Sequence, residues 1–331
     1  MLRHVTDAQR RILRECHGHA RTLDLVGFRR SLGAAAFIAV AACATTVALA
    51  APSVVVARTG SSVLVYSCGT AFENLCQINP DGSGRGRLTS DGRSAPSRRY
   101  ASPSLSRDGS KLAYLRGYEL FVLNRSTGRK TGPISKQAEL ARISADGRKV
   151  GDLENFVSVE SLAVCTFAIS GQGRECVGTT GSFGFAGEDR VLASVSAGAE
   201  FNYDKGICVL ALDGSGCERY VVSDAAHDIW DPAVSPNGRL LAATLAAKSE
   251  VEGSIVIYEY PTGRLVRQLT AGPHDSAPVW SSDGSRLAFA RNASSASASI
   301  YTIAANGRPG DERRLVAHAR AATWGGAPRR L

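Results

Sequence analysis

No G-x-S-x-G elbow, Walker loop or H-E-x-x-H helix occurs in the 331 residues, and no two cysteines stand at C-x-x-C spacing. Those absences remove the sequence signatures of an α/β-hydrolase nucleophile, a phosphate-cradling nucleotide site, a zincin helix and paired zinc-binding cysteines. Histidine is scarce: of six in the chain, only His227, His274 and His318 lie beyond residue 57. Basic charge is in excess, at a formal +9, but unevenly so. Residues 1–30 carry seven Arg against Asp7, Glu15 and Asp24, a net of +4, which leaves +5 scattered over the rest. A surplus so spread forms no basic stripe, and nucleic acid is set aside as a partner.

Leu32 to Ala57 is nearly continuous apolar sequence, directly preceded by Arg29-Arg30. Charge followed by hydrophobe is the order of a secretory signal or membrane anchor, which predicts an N-terminal hydrophobic helix and an exported body: periplasmic, cell-surface or secreted. Three endings are open. Ala48-Leu49-Ala50 reads as a cleavage site, Val40-Ala41-Ala42-Cys43 resembles a lipoprotein box with Cys43 as the lipidated residue, and the segment can stay as an anchor. The last two attach the protein to a membrane. Arg29-Arg30-Ser31-Leu32 also partly resembles a twin-arginine signal. Thirty residues before the apolar run are long for a signal, so either Val26 is the true start or residues 1–30 form a short cytoplasmic amphipathic segment. The expected division is a basic segment with signal or anchor at 1–57 and a folded body at 58–331.

Eight cysteines are present, Cys16 and Cys43 in the leader and six in the body. The six fall in pairs separated by 8, 11 and 9 residues, each pair straddling one predicted hairpin. In an oxidising compartment this reads as three local disulfides, Cys68–Cys76, Cys165–Cys176 and Cys208–Cys217. The last raises a geometric difficulty. A two-residue turn at Asp213-Gly214 sets Leu210, and not Cys208, opposite Cys217, so that bond requires a bulge or a wider loop to bring its Cα atoms within about 7 Å.

A strand-turn-strand phrase recurs along the body: Ser102-Pro-Ser-Leu-Ser-Arg-Asp-Gly109, Asp231-Pro-Ala-Val-Ser-Pro-Asn-Gly238 and Ala277-Pro-Val-Trp-Ser-Ser-Asp-Gly284. Asp-Gly or Asn-Gly supplies the positive-φ residues of a tight hairpin, and an apolar strand such as Lys111–Leu115, Leu240–Thr244 or Arg286–Ala290 follows. Weaker copies stand at Ile143–Gly147 and Ala186–Asp189. A third, alternating strand comes next (Glu119–Leu123, Ile207–Leu212, Ser254–Tyr258, Ser299–Ile303), and a polar fourth strand such as Val266–Thr270 ends the unit. The turn positions 60, 109, 147, 189, 238 and 284 are 49, 38, 42, 49 and 46 residues apart. Four strands per 40 to 50 residues is the period of a propeller blade. The strand sets predict an all-β, six-bladed β-propeller. The tail Ala321–Gly326 repeats the opening strand, with Trp324 in the place of Trp280, and is expected to pair into the first blade and close the ring. Asp81-Gly82-Ser83-Gly84 and Asp213-Gly214-Ser215-Gly216 lack alternating acidic ligands and read as turns, not calcium loops.

The phrase Pro-x-Trp-Ser-x-Asp-Gly, with an Ile-Tyr strand and a Leu-Thr pair near the unit's end, resembles the WD-like repeat of TolB-type propellers over about residues 60 to 326. The resemblance implies a six-bladed ring, without the α/β domain that TolB carries ahead of its propeller.

The three histidines each precede an opening strand: His274 and His318 stand six residues before Trp280 and Trp324, and His227 seven before Val234. They are expected on one face of the ring. Asp228 and Asp275 adjoin two of them, and imidazole with carboxylate is a transition-metal ligand set. Related WD-type repeats place a histidine in this loop to bond the blade framework, so a framework role and a ligand or metal site both stand open. The primary functional expectation is a monomeric binding scaffold for a protein, peptide or envelope glycan, with no cofactor required. The alternative is a metal-assisted polysaccharide lyase or hydrolase centred on His227, His274 and His318.

Overall fold

A computed structural model describes residues 62–156, 161–179, 181–187, 190–196 and 205–326. Outside the described residues lie the expected N-terminal helix, the candidate lipidation site Cys43 and the turn at Asp189. In chain order the strands are β1 (Val63–Cys68), β2 (Asn74–Ile78), β3 (Gly86–Arg87), β4 (Tyr100–Leu105), β5 (Lys111–Arg116), β6 (Glu119–Asn124), β7 (Lys130–Thr131) and β8 (Ala138–Ile143). There follow β9 (Lys149–Phe156), β10 (Ser161–Ala168), β11 (Glu175–Thr179), β12 (Phe183–Phe185), β13 (Val191–Ser196), β14 (Lys205–Ala211), β15 (Gly216–Val222) and β16 (His227–Val234). The series ends with β17 (Leu240–Ala247), β18 (Gly253–Glu259), β19 (Leu265–Gln268), β20 (Asp275–Trp280), β21 (Arg286–Arg291), β22 (Ser299–Ala304), β23 (Arg313–Ala317) and β24 (Arg320–Gly325). Among the described residues no helix is long and apolar enough to cross a membrane.

These strands form six antiparallel four-stranded blades, a six-bladed β-propeller. Blade 1 has the order β24-β1-β2-β3, and blades 2 to 6 take β4–β7, β8–β11, β12–β15, β16–β19 and β20–β23 in sequence. The last strand therefore supplies the inner edge of the first blade, with Leu64 paired to Trp324 and Val63 to Gly325. This is the closure expected of the tail.

Each blade is buried on both faces, which explains why strands such as Val63-Leu-Val-Tyr read as unbroken apolar runs instead of alternating ones. Val63 and Val65 pack toward blade 2, while Leu64 and Tyr66 pack toward blade 6. The core is accordingly six separate clusters, one between each pair of adjacent blades. The Leu-Thr pairs at blade ends serve these clusters: Leu269 is fully buried, and the Thr270 hydroxyl accepts the Ile255 N–H at 2.9 Å where the fourth strand leaves the ladder. Thr89 does the same for Leu75 N–H, also at 2.9 Å.

The Asp-Gly turns differ from the two-residue hairpins expected. Only the glycine has positive φ, +69° at Gly109 and +73° at Gly284, and its N–H donates to the carbonyl three residues earlier, Gly109 to Ser106 and Gly284 to Ser281. The serine is the reason for the longer loop. Its hydroxyl donates to the turn aspartate, at 2.6 Å for Ser106–Asp108 and Ser281–Asp283, and accepts the N–H of the returning strand, as from Lys111 and Arg286. These contacts hold the carboxyls of Asp283 and Asp108 below their ordinary range, against a desolvation that is the largest single effect at Asp108 and opposes the shift.

Three disulfides join Cys68–Cys76, Cys165–Cys176 and Cys208–Cys217. Cys165 and Cys176 are direct cross-strand partners, whereas Leu210 indeed stands opposite Cys217. A bulge between Val209 and Leu210 lets the third bond form diagonally, at a Cα separation of 5.8 Å. Three such bonds mark a protein of an oxidising, non-cytoplasmic compartment.

Ring closure through β24 makes a specific demand on stability. A chain ending before residue 319 leaves β1 with an unpaired inner edge and opens the cluster containing Trp324, so it is expected to lose cooperative thermal unfolding altogether. Trp324→Ala keeps the strand pairing and is expected to cost about 3–5 kcal/mol while retaining a single cooperative melt. Circular dichroism melts of both variants check this, and a truncated chain that melts like the parent sinks it.

Candidate functional site

The first strand of each blade lies nearest the axis, and consecutive inner strands β24, β4, β8, β12, β16 and β20 contact one another around it. Each runs from a junction end, where the chain arrives from the previous blade, to a turn end. In blades 1, 2, 5 and 6 the inner strand carries a bulge: two residues, Ala321-Ala322, Ser102-Pro103, Asp231-Pro232 or Ala277-Pro278, oppose one on the neighbouring strand. The first of each pair has positive φ, between +47° and +53°. This is why proline recurs six residues before the turn glycine: at a bulge it interrupts no ladder hydrogen bond.

The bulges tie the blades together. Asp231 N–H donates to Ser182 Oγ of blade 4 at 2.6 Å, and Ala277 N–H of blade 6 donates to Asp231 Oδ2 at 3.1 Å. Ser102 Oγ accepts the Ala141 N–H of blade 3 at 2.9 Å, and Thr323 Oγ1 of blade 1 accepts the Leu105 N–H of blade 2 at 2.9 Å. Blades 4 and 5 approach so closely that a Cβ at Gly184 would lie 2.3 Å from the Pro232 carbonyl oxygen.

At the turn end the six inner strands surround a cavity of about 170 Å³ on the axis. Apolar walls come from Phe185, Trp280 and Trp324, and charge from Arg142 of β8, Asp231 of β16 and the exposed Arg107 in the turn after β4. The Trp280 indole N–H is committed to the Ala233 carbonyl at 2.8 Å and that of Trp324 to Ser62 Oγ, so both rings offer faces and not donors. Burial pushes the Arg142 guanidinium below its ordinary pKa, and the Asp231 charge partly offsets this. Asp231 Oδ2 also accepts from the Thr244 hydroxyl at 3.2 Å, while Oδ1 has no donor among the described residues.

No protein-family model matches the chain, and no curated protein matches it in sequence. Solved structures do. TolB from Acinetobacter baumannii is 14% identical with a TM-score of 0.62, over 82% of this chain and 67% of that one. A TolB described as putative, from Agrobacterium tumefaciens, is 14% identical with a TM-score of 0.56, over 81% of this chain and 99% of that one. A chain of the nidogen/laminin complex is 11% identical with a TM-score of 0.58, over 80% of this chain and 98% of that one. The chain has the TolB-type β-propeller fold. What the likeness transfers to this TolB-type ring is architecture; the site must be argued from its own residues.

His227, His274 and His318 all stand at the junction end, on the face opposite the cavity mouth. They do not converge. No three-residue ligand group among the described residues contains them, and each has a partner of its own. His227 Nδ1 lies 3.1 Å from Asp224, His274 Nδ1 3.6 Å from Glu252, and His318 Nδ1 3.4 Å from the Ala296 carbonyl. The adjoining aspartates are fully buried in the framework: Asp275 takes a bidentate pair from Arg291 at 2.6 and 2.9 Å, and Asp228 accepts the Ser249 N–H at 3.1 Å with Lys248 at 3.8 Å. The expected ligand set thus separates into three unconnected contacts. Arg142, with neither a motif nor a repeat position to mark it, was not anticipated.

One cluster of ligand-type atoms does exist, Asp152, Glu154 and Cys165 of blade 3. Cys165 is locked in its disulfide and offers no thiolate, and Glu154 is held by Arg174 at 2.7 Å. Asp152 is fully buried with neither carboxyl oxygen partnered, and burial pushes its pKa up to about 7. A carboxyl whose folded pKa exceeds its ordinary value of 3.8 binds more protons folded than unfolded, so stability falls as pH rises from about 4 to about 7. Asp152→Asn removes that dependence. Its melting temperature relative to the parent is expected to climb between pH 4 and pH 8, and a flat difference would refute the burial assignment.

Proposed function

We propose that this protein is a binding scaffold: a rigid ring that receives a protein or peptide partner at the turn-end mouth of its axial cavity. The observation that carries the reading is the cavity itself, where all six blades converge and polar groups of Arg142 and Asp231 stand without partners among the described residues, beside the faces of two tryptophans. Aromatic faces with a few uncommitted polar groups are the composition of a recognition site, not of a nucleophile and its base. One structure of this fold was solved within the nidogen/laminin complex, a setting consistent with protein recognition. An envelope glycan is the other ligand class for the same mouth. The ring would work outside the cytoplasm, in the periplasm, at the cell surface or in the medium, delivered by the apolar segment from Leu32 to Ala57.

The lyase or hydrolase alternative requires His227, His274 and His318 to place nitrogens about 2.0 to 2.1 Å from one metal. Their separate partners argue against it.

Photo-crosslinking tests the proposal. A crosslinking residue at Ser282, on the cavity mouth, is expected to form adducts in envelope extracts that the same residue at Val251 does not. Val251 is 60% exposed in the loop between β17 and β18 at the junction end, and so reports the opposite face. Adducts at Val251 alone would reverse the assignment. His274→Ala is expected to leave the Ser282 adduct unchanged; a stoichiometric transition metal in the purified protein, lost in that variant, would favour the enzyme reading.

A further inference from the structure

We infer that the axial cavity is a carboxylate receptor, with Arg142 as its anion-binding group; this rests on the reading of the cavity as the binding site. Two other enclosed guanidiniums of the chain, Arg291 and Arg125, set the comparison. Arg291 is matched by Asp275 and by Glu312 at 3.3 Å, and Arg125 by the Gly109 carbonyl at 2.9 Å and Gln77 Oε1 at 3.0 Å. Arg142 is matched by much less. Its Nη1 donates to the carbonyl of its own neighbour Ala141 at 3.0 Å, and no carboxylate among the described residues pairs with it.

Desolvating a guanidinium without a counter-ion is costly, and removing such a charge is often neutral or stabilising. The cost is incurred here at a cavity that a partner can enter. Nε and Nη2 have no acceptor among the described residues, and neither is among the buried unsatisfied atoms, so both reach the cavity. Two such N–H groups are the fork that binds a carboxylate in bidentate fashion. Asp231 does not fill that role, since its Oδ2 is held by Ala277 N–H and the Thr244 hydroxyl. Its open Oδ1 instead favours a ligand that carries an N–H or O–H donor beside the carboxylate, as an acidic residue within a peptide does. About 170 Å³ admits a side chain of that size and not a folded segment, so the rest of the ligand lies outside the mouth.

The test uses the full chain and thermal unfolding, with glutarate, Ac-Ala-Glu-Ala-NH2 and Ac-Ala-Gln-Ala-NH2 as probes. Without any probe, Arg142→Gln is expected to melt at or above the parent temperature, because a desolvated, unmatched charge is gone. Glutarate and the Glu peptide are expected to stabilise the parent, the Gln peptide not, and the apparent affinity to fall roughly ten-fold or more in Arg142→Gln, as the loss of a charge-assisted pair implies. Arg142→Lys should recover only part of it, since a point charge replaces the fork. A stronger effect of the Glu peptide than of glutarate assigns the carboxylate to a polypeptide, and the reverse assigns it to a free acid. A clear loss of stability in unliganded Arg142→Gln makes the residue structural and overturns the inference, as does equal stabilisation of parent and variant. If that happens while Ser282 adducts persist, Arg142 is wrongly assigned and the axial binding site stands.

Discussion

The pairing of β24 with β1 is the contact on which every other part of this ring depends. It joins residues some 260 positions apart in sequence, as in the bond from Ser62 Oγ to the Gly325 carbonyl across 263 residues. Blades are held mainly by apolar clusters between neighbours, so an open array would end in two bare faces, one on blade 1 and one on blade 6. Closing the circle converts both into the sixth cluster, built from Leu64, Tyr66, Ala288, Ile300 and Trp324 among others. Because the last inner strand and the first three outer strands share one sheet, neither end of the folded ring can leave without breaking a ladder.

Closure also explains the polar chemistry of the inner strands. A blade wedge narrows toward the axis, where there is least room for apolar side chains. Short polar residues take over there, and Ser102, Ser182, Asp231 and Thr323 each accept a backbone N–H from the next blade. In blades 1, 2, 5 and 6 a bulge supports this by turning one residue of the inner strand sideways at positive φ. Inner strands are thereby registered around the ring by directional bonds, whereas the outer strands rely on non-directional burial. The outermost strands reflect the difference: all four residues of β19 are exposed, and Leu265 is 55% accessible.

Architecture was legible in the sequence because it repeats. Pro-to-Gly spacing, the 38 to 49 residue period and the cysteine separations each report a local, recurring geometry. The same reasoning misjudged the turns. Asp-Gly alone suggests a two-residue hairpin, and the decisive residue is the serine two before the aspartate, whose hydroxyl closes a wider loop. The site was not legible for the opposite reason: it is where the repeat is broken. Arg142 occupies a position in β8 that aligns with Ser104, Ala233 and Val279 of other blades, and only the closed ring shows that its guanidinium has been left without an ion-pair partner among the described residues. Histidine drew attention because it recurs at the blade junctions, where His227, His274 and His318 each stand beside a separate partner.

The two ends of the ring accordingly carry different loads. At the junction end the chain crosses from blade to blade, and the crossing loops are secured by side chains: Arg291 with Asp275 and Glu312, Asp228 with the Ser249 N–H, and His274 beside Glu252. Groups spent on tethering in this way have little capacity left for a ligand. At the turn end the loops of blades 2, 3, 5 and 6 satisfy most of their own groups, because serine, aspartate or asparagine, and glycine supply one another's hydrogen bonds within four residues. Self-contained turns need nothing from the side chains that face the axis. Those side chains are therefore free to be chosen for what enters the cavity, and a charge that the fold does not need can persist there only if something outside the fold answers it.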